Sequence, residues 1–122
     1  MTRILLVDDS LFIRKMVRRM LEPQGFQIVG EAGNGEEGIG LYESLRPDVV
    51  IMDVTMPVKG GLEASKEILY KFPCARIILL TAMGRADIVE EGKNIGVKYH
   101  LQKPFKPGEL SEAIKNCIMN SR

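Results

Sequence analysis

The sequence contains no tryptophan, one histidine and two cysteines. Aromatic residues make up 6% of the chain, so the stacking platforms a bound flavin needs are scarce. Cys74 and Cys117 are far apart and fit no metal-ligand spacing, which sets aside a cysteine-based zinc site. A buried, reduced thiol is expected at each. No single sign of charge dominates. Seventeen basic and 16 acidic residues are mixed along the chain, giving a net charge of +1 and no surface suited to nucleic acid or membrane. Long hydrophobic runs are also missing. The apolar stretch at residues 4–7 is too short for a signal-peptide core or a membrane span, so a cytoplasmic protein is expected. Repeats, linkers and low-complexity segments are absent.

What remains is an ordinary globular composition, 45% apolar and 27% charged over 122 residues. That length suits a single domain over residues 1–122. Short apolar runs alternate with longer amphipathic stretches. Strands are expected at residues 4–7, 26–30, 49–52, 76–80 and 99–102. Ser10 is a candidate N-cap for a first helix, whose Phe12, Ile13, Met16, Val17, Met20 and Leu21 recur at helical spacing. Arg14, Lys15, Arg18 and Arg19 fall on its opposite face. Pro23-Gln24-Gly25 ends it. Asn34-Gly35 opens a second helix to about Leu45, softened by Gly38 and Gly40 at about 1 kcal/mol each relative to alanine. Further helices are expected from Leu62 to about Lys71, from Ala86 to Asn94, and from Pro107, which tolerates a first-turn position. Strands alternating with helices imply an α/β fold, a mostly parallel sheet covered on both faces.

In such sheets ligands bind beyond the carboxyl ends of the strands. Asp8 and Asp9 follow the first strand, Asp53 and Thr55 the third, Thr81 the fourth, and Lys103 and Pro104 the fifth. Each alone reads as an element end. Together they bring three carboxylates, a hydroxyl and an ammonium to one edge. Three neighbouring acids repel, so a proton or a cation must relieve them. Oxygen-only ligands at an open site suit one Mg²⁺. A carboxylate can also attack phosphorus, and the transferred group then needs a metal, a cation and a hydroxyl donor. Asp53 fits the nucleophile, Asp8 and Asp9 the metal ligands, Lys103 the cation and Thr81 the hydroxyl.

These stretches, ILLVDDS at 4–10, IMDVTMPVKGG at 51–61, ILLTAMG at 78–84 and LQKPF at 101–105, resemble the receiver domain of two-component response regulators, the CheY-like chemotaxis regulators in particular. The resemblance spans essentially the whole chain. It implies a flavodoxin-like (βα)5 fold with strand order 2-1-3-4-5. It implies that Asp53 takes a phosphoryl group from the phosphohistidine of a sensor histidine kinase. Asp8, Asp9, Asp53 and the backbone carbonyl of Thr55 would then hold Mg²⁺, while Lys103 and Thr81 contact the phosphoryl group. Pro104 matches a Lys-Pro step that is often cis. The position three before the lysine, where the family usually has an aromatic switch residue, is His100 here. It is either a half-buried packing histidine or, with Thr81, the switch. Thr55 and Met83 flank the site and are expected to tune the phosphoryl lifetime. The implied partner-binding face includes Ile88, Glu91, Lys98, His100 and Lys106. With no output domain expected, the signal would pass from a monomer to another protein, at the flagellar motor or elsewhere. Two alternatives stand beside this: a phosphate sink or relay intermediate, and a haloacid-dehalogenase-type phosphatase. The second wants an acid two residues after the nucleophile, where this chain has Thr55.

Overall fold

A computed structural model describes residues 1–120. Five strands alternate with five α-helices: β1 (Arg3–Val7), α1 (Leu11–Leu21), β2 (Gln27–Ala32), α2 (Gly35–Leu45), β3 (Val49–Asp53), α3 (Gly61–Lys71), β4 (Ile77–Thr81), α4 (Ala86–Ile95), β5 (Tyr99–Gln102) and α5 (Pro107–Met119). All strand pairings are parallel and the order is β2-β1-β3-β4-β5. This is the flavodoxin-like arrangement that the family resemblance implies.

The pleat sorts side chains into two cores, one on each face of the sheet. Ile4, Leu6, Val49, Ile51, Ile78 and Leu80 pack with Val17 and Leu21 of α1 and with Leu110, Ile114 and Cys117 of α5. Their neighbours Leu5, Val7, Val50, Met52, Ile77 and Leu79 pack with Tyr42 of α2 and with Ala64 and Ile68 of α3. The central strands are buried on both faces, which is why they read as continuous apolar runs rather than alternating ones.

Local signals set most element starts. The Ser10 hydroxyl accepts from the Ile13 amide to begin α1, and the Asn34 side chain accepts from the Glu37 amide to begin α2. Three expectations need correction. β2 runs two residues past Gly30 to Ala32, because Glu31 and Ala32 pair with Leu6 and Val7 of β1. Phe12 does not join the core; it is 74% exposed. Arg14 and Arg18, on the polar face of α1 as expected, both pair with Glu31 of β2. Cys74 is exposed, whereas Cys117 is buried and its thiol is pushed up to about 11 by that burial.

Candidate functional site

β1, β3, β4 and β5 all end at the same edge of the sheet, and each delivers one part of the site. The β1–β3 neighbourhood brings Asp8 and Asp9 to Asp53. Carboxylate oxygens of these three residues lie within 4.8 Å of one another. Asp8 and Asp53 are buried, while Asp9 is exposed. From the far side Lys103 reaches across, its Nζ 3.1 Å from Asp53 Oδ1 and 3.4 Å from Asp8 Oδ2. The Lys103 amide donates to the Thr81 carbonyl at 2.8 Å, which fixes where the lysine leaves β5. The Lys103–Pro104 peptide bond is cis.

Electrostatics follow from this crowding. Burial pushes the Asp53 carboxyl above its ordinary value, and the Asp8 charge adds to that push. The hydrogen bond and charge of Lys103 oppose it without cancelling it. Burial works against the Lys103 ammonium, yet its hydrogen bond to Asp53 and the Asp53 and Asp8 charges outweigh that cost and hold it above its ordinary value. One lysine therefore does not fully relieve three acids. The donor set is all oxygen and open on one side, and it fits a hard divalent cation.

A cavity of about 180 Å³ opens over Asp53, lined by Val54, Thr55, Leu80, Thr81, Ala82, Arg85, Ile88 and Lys103. Among the residues singled out from sequence, Asp53, Thr55, Thr81 and Lys103 share this cavity, with Asp8 and Asp9 beside it. Met83 and His100 do not line it. Met83 is 72% exposed. His100 is exposed on β5 rather than half-buried, while the preceding Tyr99 packs inward and donates its hydroxyl to the Asn116 carbonyl of α5. Ile88, expected on the partner face, is instead buried at the cavity wall.

Four residues that matter here were not singled out as site residues from sequence. Arg14 donates from Nη1 to the Asp8 carbonyl and from Nε to Glu31 Oε1 at 2.9 Å. Glu31 also receives Arg18 through Nη2 at 2.8 Å and Nε at 3.1 Å. The Asp8 amide donates to the Ala32 carbonyl and Asp8 Oδ1 accepts from the Ser10 amide. Arg14, Arg18 and Glu31 thus brace the β1 end from α1 and β2. The i, i+4 spacing of Arg14 and Arg18 was a visible signal; their shared acid, on another element, was not. The fourth is Arg85, on the cavity wall.

A family model described as the response regulator receiver domain matches residues 4–115. Protein CcdB of Bacillus subtilis is 46% identical over 118 residues, which is 97% of this chain and 98% of that one. The chemotaxis protein CheY of Thermotoga maritima is 42% identical over 112 residues, 92% of this chain and 93% of its own. In the crystal structure of a CheX-CheY-BeF3-Mg²⁺ complex from Borrelia burgdorferi, the matching chain superposes with a TM-score of 0.90 at 28% identity, covering 94% of this chain and 87% of that chain. With its five-stranded order and its clustered acids and lysine, this chain belongs to the response regulator receiver domain family of two-component signalling and is CheY-like.

Proposed function

We propose that the protein is a single-domain, cytoplasmic signalling switch, working as a monomer, in which Asp53 accepts a phosphoryl group from the phosphohistidine of a sensor kinase. The nitrogen–phosphorus bond breaks as a bond from an Asp53 carboxylate oxygen to phosphorus forms, and the imidazole leaves with the nitrogen lone pair. One arrangement supports this above all: a buried carboxylate at a strand end, 3.1 Å from a lysine ammonium, with two more acids beside it. The rigid β3 run holds Asp53 at the cavity floor, which favours in-line approach. Lys103 meets the charge on the incoming oxygens, and the Thr81 hydroxyl supplies a neutral donor. Asp8, Asp9, Asp53 and the Thr55 carbonyl would hold one Mg²⁺, which when bound offsets negative charge at the transferring group.

Once phosphorylated, Thr81 and Lys103 are drawn toward the new oxygens. His100 follows as the switch residue, altering the exposed surface around Glu91, Lys98 and Lys106 that a target protein reads. A target at the flagellar motor fits the chemotaxis relatives. Thr55 and Met83 tune the lifetime of the acyl phosphate. A phosphate sink would use the same chemistry with no target.

Incubation with acetyl phosphate and Mg²⁺, read by intact mass, tests this. The expected result is a gain of one phosphoryl group, lost with chelator and in Asp53→Asn. Retention of the added mass in Asp53→Asn would sink the assignment of the acceptor. The same assay in Met83→Gln and His100→Phe separates lifetime from switching: only the first should change the decay rate.

A further inference from the structure

Phosphorylation replaces the single negative charge of Asp53 with a group carrying about two. Among the described residues lining the cavity over Asp53, two are cationic, Lys103 and Arg85. Lys103 is already engaged with Asp53 and Asp8. Arg85 is engaged elsewhere. Its Nε donates to Asp87 Oδ1 at 3.1 Å and its Nη2 to Asp87 Oδ2 at 3.3 Å. That hydrogen bond holds the Asp87 carboxyl below its ordinary value. Both side chains are exposed, 44% and 61%, so water screens the pair and little holds it together.

The backbone around Arg85 leaves it free to move. It is the N-cap of α4, at φ −104° and ψ 54°, and its side chain makes no capping hydrogen bond. Gly84 before it has φ +78°, and residues 82–87 are exposed throughout. The planar fork of donors that now spans both Asp87 oxygens can span two phosphoryl oxygens equally well.

Resting on the reading of Asp53 as phosphoryl acceptor, we infer that Arg85 is a second phosphoryl-binding cation, parked on Asp87 in the unmodified protein and transferred to the phosphoryl oxygens when Asp53 is modified. The half-enclosed cavity screens charge less than the open surface where Asp87 sits, so the dianion outcompetes the carboxylate. Arg85 immediately precedes Ala86, the first residue of α4. Its capture therefore pulls the start of α4 toward β3 and uncovers Asp87. This route to the surface runs beside that of Thr81 and His100.

Beryllofluoride, a phosphoryl mimic, probes this directly. Its affinity at saturating Mg²⁺ is measured by calorimetry in wild type, Arg85→Gln, Arg85→Lys and Asp87→Asn. Arg85→Gln should bind roughly tenfold more weakly, as expected for loss of a charge-assisted hydrogen bond. Arg85→Lys, which keeps the charge but not the fork, should fall between wild type and Arg85→Gln. Asp87→Asn should bind more tightly than wild type, because Arg85 no longer has a competing partner; a residue with a merely structural role would not tighten binding when removed. Equal affinity in wild type and Arg85→Gln, or weaker binding by Asp87→Asn, overturns the inference while leaving the Asp53 reading intact. A wild-type protein that takes up no beryllofluoride overturns that reading, and this inference with it.

Discussion

On the β1–α1 flank of the site, Asp8 is tied by the Ser10 amide, the Ala32 carbonyl, Arg14 and Lys103, and Arg14 is itself gripped by Glu31. On the β4–α4 flank, residues 82–87 are exposed and α4 starts without a side-chain cap. The β3–α3 loop sides with the first flank: the Gly61 amide donates to the Val54 carbonyl at 2.8 Å, directly behind Asp53. The two flanks suit different tasks. Metal oxygens must stay where they are, because a cation tolerates little misplacement. An element that reports modification must have somewhere to go, and low local stability provides it.

Three substitutions can break or sharpen this contrast. The largest effect is expected at Gly61. A Cβ there would overlap the Asp53 carbonyl, whose carbon lies 2.8 Å away, and backbone cannot yield as a flexible side chain does. Gly61→Ala should cost on the order of 3 kcal/mol or more, measured by urea unfolding, and should disturb Asp53 along with the fold. A normal midpoint would show that this flank is not rigid.

Glu31→Gln should cost about 1 kcal/mol at neutral pH, since its contacts are charge-assisted but partly screened. The pH dependence has a definite sign. Burial works to raise the Glu31 carboxyl, but hydrogen bonds from Arg18 and Arg14 win and hold it below its ordinary value of 4.5. Folding thus favours the charged form. That stability is fully present above pH 4.5 and drains away as pH falls through the lowered value. The gap between wild type and Glu31→Gln should therefore close on acidification. A gap that stays constant however far the pH falls below 4.5 would mean the contribution is packing, not charge.

The smallest effect belongs to the open flank. Gly84 has φ +78° and nothing within 4 Å of an added Cβ, so Gly84→Ala should cost about 1 kcal/mol through backbone conformation alone. Hydrogen exchange should change only near residues 82–87. Changes reaching β1 would show that the flanks are coupled in the unmodified protein.

The contrast was only half legible in the sequence. Apolar runs at residues 49–52 and 77–80 marked the buried strands, and the acids, hydroxyl and lysine at strand ends marked the edge where they meet. Strand order came through resemblance to a family, since periodicity does not say which strands are neighbours. Glu31 fell just beyond the expected strand, because a charge after Gly30 looks like the end of a strand. Its place in β2 depends on pairing with Leu6, and its arginine partners lie 13 and 17 residues earlier on α1. Phe12 and Ile88 were misplaced for a related reason. Helical spacing defines a stripe, but the packed neighbours decide how wide the buried stripe is. Phe12 falls beyond its edge, whereas Ile88 lies within one, against the cavity wall.

The span between Asp53 and Lys103, 50 residues of chain bridged by one 3.1 Å contact, also bears on how the protein is made. On a ribosome adding about 5–20 residues per second, the acids are complete roughly 2.5–10 s before the lysine is even synthesised. Until then Asp8, Asp9 and Asp53 have no Lys103 ammonium to draw them together, and the cavity over Asp53 lacks its lysine wall. On the proposed reading of Asp53, a nascent chain therefore offers a kinase no finished acceptor site. On that reading, chemical competence arrives only with Lys103, just past the last strand, so the order of synthesis would itself guard against signalling by unfinished molecules.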